Sequence, residues 1–316
     1  MKENFTLALL TIVFKAIAIW PLRVLYVLSD LIYPLVYYVA GYRREEVRKN
    51  LENSFPEMSA KEIVKIEKQF YRHFCDYVME TVKLLHISDD EMRRRMRFTN
   101  PEYIEQLRSD GRPIFLYLGH HGNWEYIISI SMWTSPELAI GQIYHPLSNK
   151  AMDKLIYRLR SRFNTVGIPQ KQALRTIITM VRDGKQPFLG FIADQRPPRR
   201  PEPEWMTFLN QDTPIITGGE AMGRKLNAHF VYGSMKCVRR GYYELTFHPI
   251  HPVEGEGCGY SKQYMRMLEQ DIKAQPHLYL WTHKRWRWKR EASSNFPEGE
   301  NTGISETANS PIVNKS

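Results

Sequence analysis

The chain has 316 residues, 43% of them hydrophobic and 25% charged, with 44 Lys and Arg against 34 Asp and Glu. That length and apolar content exclude a disordered tail or a disulfide-stapled miniprotein and leave enough chain to bury a core. The formal net charge of +10 points to anionic partners, whether nucleic acid, a lipid headgroup surface or an acidic carrier protein.

Residues 5–40 read FTLALLTIVFKAIAIWPLRVLYVLSDLIYPLVYYVA, with Lys15, Arg23 and Asp30 as the only charges. Pro21 and Pro34 interrupt the run, and neither half reaches the roughly 20 clean apolar residues of a spanning helix. We expect a membrane anchor over residues 1–41, either one tilted span or a shallow hairpin. Arg43, Arg44, Arg48 and Lys49 follow it, a basic flank that the positive-inside rule places in the cytoplasm with the chain beyond. Cys75, Cys237 and Cys258 are scattered and form no C-x-x-C pair, which agrees with a reducing compartment.

Ser59 with Glu62 forms a capping box, and Ile63, Ile66, Phe70, Phe74, Tyr77 and Val78 recur at helical spacing, so a helix is predicted over 60–86. Arg93, Arg94, Arg95 and Arg97 are either a solvated helix face or a phosphate or carrier contact. Buried strands are predicted at 113–119 (PIFLYLG), 138–144 (LAIGQIY), 187–193 (PFLGFIA) and 229–234 (HFVYGS), with an alternating edge strand at 243–248 (YELTFH). Helical patterning fills 124–132, 149–163, 172–182 and 219–226. Strand and helix by turns give an α/β domain over 42–290, a largely parallel sheet flanked by helices. Residues 291–316 are rich in Ser, Asn, Thr, Gly and Pro and are expected to be a disordered tail.

Ligands in open parallel sheets bind beyond the carboxyl ends of the strands. Those positions are polar here: His120, His121, Gly122, Asn123, Trp124 and Glu125 after the first strand, His145 after the second, Asp194, Gln195 and Arg196 after the third. With Gly122 turning the chain and Asn123 capping a helix, Glu125 falls in the first helical turn beside His120. A carboxylate there fixes the tautomer of one ring nitrogen and leaves the other to take a proton from a substrate hydroxyl. No Ser or Cys stands beside the pair, which favours direct general-base catalysis over a covalent acyl-enzyme. A metal site built from His120, His121, Glu125 and Asp194 is disfavoured because adjacent histidines point apart on an extended backbone. No metal and no cofactor is expected.

These residues and their order resemble the lipid A late acyltransferases, the lauroyl and myristoyl transferases of lipopolysaccharide assembly, and the related phosphatidylinositol mannoside acyltransferases. The resemblance runs from the apolar opening and GYRREEVRKNLENSFPEMS, through HHGNWE as the His-x4-Asp/Glu motif, YHPLSNKAMDKLIYRLRSRFN and ADQRP, to LYLWTHKRWRW. Lys284 and Trp286 depart from the Arg and Phe of the last motif. The resemblance implies a glycerolipid-acyltransferase-like fold and transfer of a fatty acyl group from acyl carrier protein thioester to a hydroxyl of a lipid A precursor. It places the catalytic domain at the cytoplasmic face of a bacterial inner membrane and gives it no nucleic-acid partner. Carried over by position, His120 is the general base and Glu125 its partner. Arg175 or Arg158 is the candidate for oxyanion or phosphate contact, Asp194 positions the acceptor or supports the site, and His145 and Asn123 join the substrate-binding set. Trp281, His283, Arg285 and Trp286, with the basic residues around them, form an interfacial or carrier-docking patch. Two alternatives stay open: the same dyad acting on a lysophospholipid, glycosyl phospholipid or aminoacyl lipid, and a non-enzymatic membrane-tethered binding protein indifferent to His120.

Overall fold

The computed structural model describes residues 13–147, 149–198 and 202–290. The start of the expected anchor (1–12) and the expected tail (291–316) lie outside the described residues. The elements in chain order are α1 (Leu22–Pro34), α2 (Arg44–Ser54), α3 (Ala60–Lys83), α4 (Asp89–Arg95), β1 (Met96–Phe98), α5 (Glu102–Arg108), β2 (Ile114–Leu118), a 3-10 helix (Trp124–Met132), β3 (Leu138–Tyr144) and α6 (Lys150–Arg160). There follow β4 (Val166–Pro169), α7 (Ala173–Arg182), β5 (Gln186–Ile192), the hairpin β6 (Trp205–Phe208) and β7 (Gln211–Pro214), α8 (Gly218–Lys225), β8 (His229–Arg239), β9 (Tyr242–Pro249) and α9 (Gly259–Ala274).

Seven strands form one sheet in the order β1-β9-β8-β2-β5-β3-β4. All neighbours in it are parallel except β8 and β9. β2 sits at its centre with every residue buried, as a strand covered on both faces requires. Phe115 and Tyr117 face one layer, where Phe115 packs tilted on Phe191 at 4.6 Å and Tyr117 stacks on it at 5.5 Å. Leu116 and Leu118 face the other, toward Ile127, Ile130 and Phe188.

The strand predicted as an edge at 243–248 is covered instead. β1 pairs with β9 through Met96↔Tyr243 and Phe98↔Leu245, and three residues are too few to show a strand period. β8 also outruns its prediction. Tyr117 pairs with Tyr232, so the stretch from Gly233 to Arg239 carries the β8–β9 hairpin past the end of β2, on the side where β2 delivers His120.

The capping box at the start of α3 is formed. Ser59 donates its backbone N–H to Glu62 Oε2 at 2.8 Å, and its hydroxyl accepts the Glu62 N–H. α1 lies along α3 with Leu22, Leu25, Ser29 and Tyr33 inward, while Val24, Val27, Leu31 and Leu35 are 41–65% exposed on its outer side. Ser29 Oγ donates to Asp76 at 2.7 Å, Tyr26 OH donates to Glu80 at 2.8 Å, and Arg240 of the β8–β9 turn holds Asp30 at 2.7 Å. After Pro34, which has no N–H to continue the ladder, the helix widens into a π-helical turn over Leu35–Val39.

Candidate active site

β2 ends at Leu118, and the chain turns at Gly122, whose φ of +68° is a left-handed conformation that costs other residues more. Gly122 N–H donates to the Leu278 carbonyl at 3.1 Å. The two histidines ahead of the turn point to opposite sides, as successive residues on an extended backbone do. His121 is buried, with Nε2 3.2 Å from the Gln275 carbonyl, and burial pushes its pKa down. His120 faces the cavity described below and packs edge-on against Trp124 at 5.0 Å.

The partner of the His120 ring is Asp194, two residues beyond β5. Asp194 Oδ1 is 2.7 Å from Nδ1, and its other oxygen accepts the His120 backbone N–H at 3.2 Å. Asp194 is 1% exposed. Burial alone would raise its carboxyl pKa, but the His120 charge and the hydrogen bonds to the His120 ring and backbone outweigh it and hold the pKa below the usual value. An ionised carboxylate only accepts, so Nδ1 is the ring nitrogen that donates to it, and Nε2 is the one left to face the cavity. Nε2 lies 3.3 Å from the Gln195 side-chain amide.

The hydrogen bond expected between Glu125 and the His120 ring is replaced by another. Both Glu125 oxygens accept from Arg160, at 2.9 Å from Nε and 2.5 Å from Nη2. Glu125 is 4% exposed, and a buried carboxylate is satisfied far better by a bidentate guanidinium than by one ring N–H. Asn123 does not cap the helix, because its amide donates to the buried carboxylate of Glu80 at 2.6 Å. It is fully buried and is absent from the cavity walls described next.

Between the sheet and the 3-10 helix lies a cavity of about 480 Å³, within the roughly 300–1,000 Å³ range of small-molecule pockets. Leu116, Leu118, Ile127, Ile130, Ile140 and Phe188 line its interior, and its polar lining includes His120, Gln195, Arg160 and His145 beside Gln142, Tyr144 and Thr165. His145 is exposed, with Nδ1 2.9 Å from the Pro146 carbonyl. Arg158 and Arg175 are solvent-exposed and stand off the cavity walls.

The guanidinium at the cavity is that of Arg160. It lies one turn after Ile156 and three residues before Phe163, on the half-buried flank of α6, and that phase is the sequence signal that marks it. Gln195 was legible as part of the block after β5, without a role. The C-terminal patch divides between core and surface. Trp281 and Arg285 are core side chains, Arg285 donating to the Pro214 carbonyl at 2.6 Å, while Lys284, Arg287, Lys289 and Arg290 remain exposed. Among the described residues, no three His, Cys, Asp or Glu side chains gather closely enough to hold a metal ion.

A family model described as bacterial lipid A biosynthesis acyltransferase matches residues 1–288. A lipid A biosynthesis palmitoleoyltransferase of Escherichia coli K12 is 24% identical over 262 residues, which cover 80% of this chain and 82% of that protein. A lipid A biosynthesis acyltransferase of Shigella flexneri gives the same figures. One of Haemophilus influenzae is 18% identical over 258 residues, 81% of this chain and 80% of its own.

Proposed function

Since the chain belongs to the bacterial lipid A biosynthesis acyltransferase family, we propose that it moves a fatty acyl group from an acyl carrier protein thioester to a hydroxyl of a lipid A precursor, directly and with His120 as general base. The observation that carries this reading is the position of His120, between the buried Asp194 carboxylate and the wall of an apolar cavity.

The chemistry follows from that position. The acceptor hydroxyl takes the place of the Gln195 amide at Nε2 and gives up its proton as its oxygen bonds to the thioester carbonyl carbon. Asp194 stabilises the imidazolium so formed. The oxyanion of the tetrahedral intermediate meets N–H donors from Gln195 and Arg160, the latter held at the cavity by Glu125. Collapse breaks the C–S bond, and the imidazolium returns the proton to the leaving thiolate. The apolar interior of the cavity receives the acyl chain. In this reading Asp194 is the positioning carboxylate of the base, and Glu125 acts through Arg160.

The same reading lays α1 on the bilayer at the cytoplasmic face of the inner membrane. Its outer side is an apolar stripe, and its inner side is tied to α3 by polar bonds, as in a helix that lies in the interface plane. The basic surface suits both an acidic carrier protein and phosphorylated lipid.

The test is a detergent-micelle assay of purified protein with radiolabelled acyl carrier protein thioester and a tetra-acylated lipid A precursor, wild type beside His120→Ala. A more acylated product from wild type alone supports the reaction and the base. Transfer to another lipid, or to water, with the precursor unchanged would refute the acceptor.

A further inference from the structure

A second cavity, of about 350 Å³, opens at the foot of α1 and shares no wall with the first. It is lined by Pro21, Leu22 and Arg23 at the start of α1, by Glu91, Arg94 and Arg95 of α4, and by Tyr242 at the start of β9. Three guanidiniums therefore face one carboxylate, and that carboxylate is already committed to Arg95 at 3.0 Å. Arg95 is 8% exposed and is fixed further by the Gly241 carbonyl at 3.2 Å and the Tyr242 ring at 4.9 Å. Arg239 lies over the same ring at 3.7 Å. Arg23 and Arg94 have no acidic partner among the described residues, and both are exposed.

The surroundings identify what such a pocket takes. Trp20 is 55% exposed immediately before it, and the exposed stripe of Val24, Val27, Leu28 and Leu31 starts one residue beyond Arg23. A helix lying with this stripe among acyl chains puts Trp20 at headgroup depth and leaves Arg23 to reach up along the flank. We propose that this cavity is a binding site for the phosphate of an anionic bilayer phospholipid, clamped by Arg23 and Arg94 against the rigid Arg95–Tyr242 wall. The site is separate from the acyl-transfer site and sets how the protein sits on the membrane. It rests on the reading of α1 as a surface-lying helix. A membrane source for the phosphate follows from the continuity of the pocket with the apolar stripe.

Flotation of the full-length protein with vesicles of phosphatidylcholine alone, and of phosphatidylcholine mixed with phosphatidylglycerol, tests this. Arg23→Gln/Arg94→Gln is expected to lower partitioning onto the anionic vesicles about thirtyfold, at the usual increment for two basic side chains at such a surface, and to leave neutral vesicles unaffected. Arg182→Gln/Lys185→Gln removes the same charge just ahead of β5, at the amino end of the parallel strands and away from this cavity, and is expected to leave both unchanged. The proposal is overturned if the first double variant keeps the wild-type preference for anionic vesicles, or if the second loses as much. It is equally overturned if inorganic phosphate at fixed ionic strength releases the wild type to the level of the first variant, which would make the pocket a site for soluble anions. Wild type that binds neither vesicle would instead overturn the surface-helix reading itself.

Discussion

Asp194→Asn tests the base most sharply, because the structure dictates how the substituted amide must sit. One Asp194 oxygen accepts the His120 backbone N–H at 3.2 Å, and that N–H cannot become an acceptor. The amide oxygen of Asn is therefore held there, and its NH₂ is turned toward Nδ1, where the carboxylate now stands at 2.7 Å. An NH₂ donor forces Nδ1 to accept, which moves the ring proton to Nε2, the atom that must be empty to take the proton of the acceptor. Flipping the amide restores the tautomer but sets two donors against each other in a buried site, at a cost of about 1–3 kcal/mol, and still loses the charge that stabilises imidazolium. Either way kcat should fall by roughly 10²- to 10⁴-fold, the range of a general-base contribution, with KM little changed. Steady-state kinetics on the carrier thioester, beside circular dichroism to show an intact fold, measures this. A kcat close to wild type would mean that Asp194 is a structural carboxylate and that the reasoning about His120 is wrong.

Arg160→Gln leaves the buried Glu125 charge unpaired and should cost about 3–5 kcal/mol of stability, read by chemical denaturation. Glu125→Gln/Arg160→Gln should regain most of that stability while activity stays low, since the guanidinium is still missing; full activity in the stable double variant would make the pair purely structural. Glu80, fully buried among Tyr26, Asn123 and Tyr243, has its carboxyl pushed up to about 7 by burial. Between its unfolded pKa and 7 the folded state holds a proton that the unfolded state releases, so stability falls as pH rises through that window, by about 3 kcal/mol. Glu80→Gln should flatten that slope in denaturation series from pH 4 to 8, and an unchanged slope would show that Glu80 is ionised throughout. A Cβ on Gly190 would meet its neighbours only at 3.8–3.9 Å, so Gly190→Leu should fold and fill the cavity. Competition between donors of different length should then shift toward shorter chains; unaltered selectivity would remove the cavity as the acyl site.

The sheet was legible because β2 is buried on both faces and β3 and β5 are largely apolar runs, interrupted in β3 by Gln142 alone. β1 and β4, at three and four residues, are too short to carry a period. At the site, the sequence marked the strand ends and so identified His120, Glu125 and Asp194 as neighbours of one edge. Which carboxylate meets which cation is a different matter. His120 and Glu125 are close in sequence, but the left-handed turn at Gly122 and the tight 3-10 winding after it decide where Glu125 points, and its partner Arg160 comes from another helix. Asp194 is 74 residues from His120, and only the pairing of β5 beside β2 brings it there. Arg158 and Arg175 drew notice by charge alone, whereas the phase of α6 turns Arg160, and not Arg158, inward.

The overhang of the β8–β9 hairpin holds α1 at the rim of the sheet that carries His120, through Arg240 on Asp30 and the Tyr26 carbonyl. Glu80 links them, bonded to Tyr26 on α1 and to Asn123 on the loop that follows His120. In the orientation proposed above that rim rests on lipid, so the acceptor would reach the enzyme by lateral diffusion, and the concentration governing the rate would be the acceptor's mole fraction in the film. Adding inert detergent or neutral lipid at constant acceptor should therefore slow turnover by surface dilution, although nothing in the bulk solution has changed.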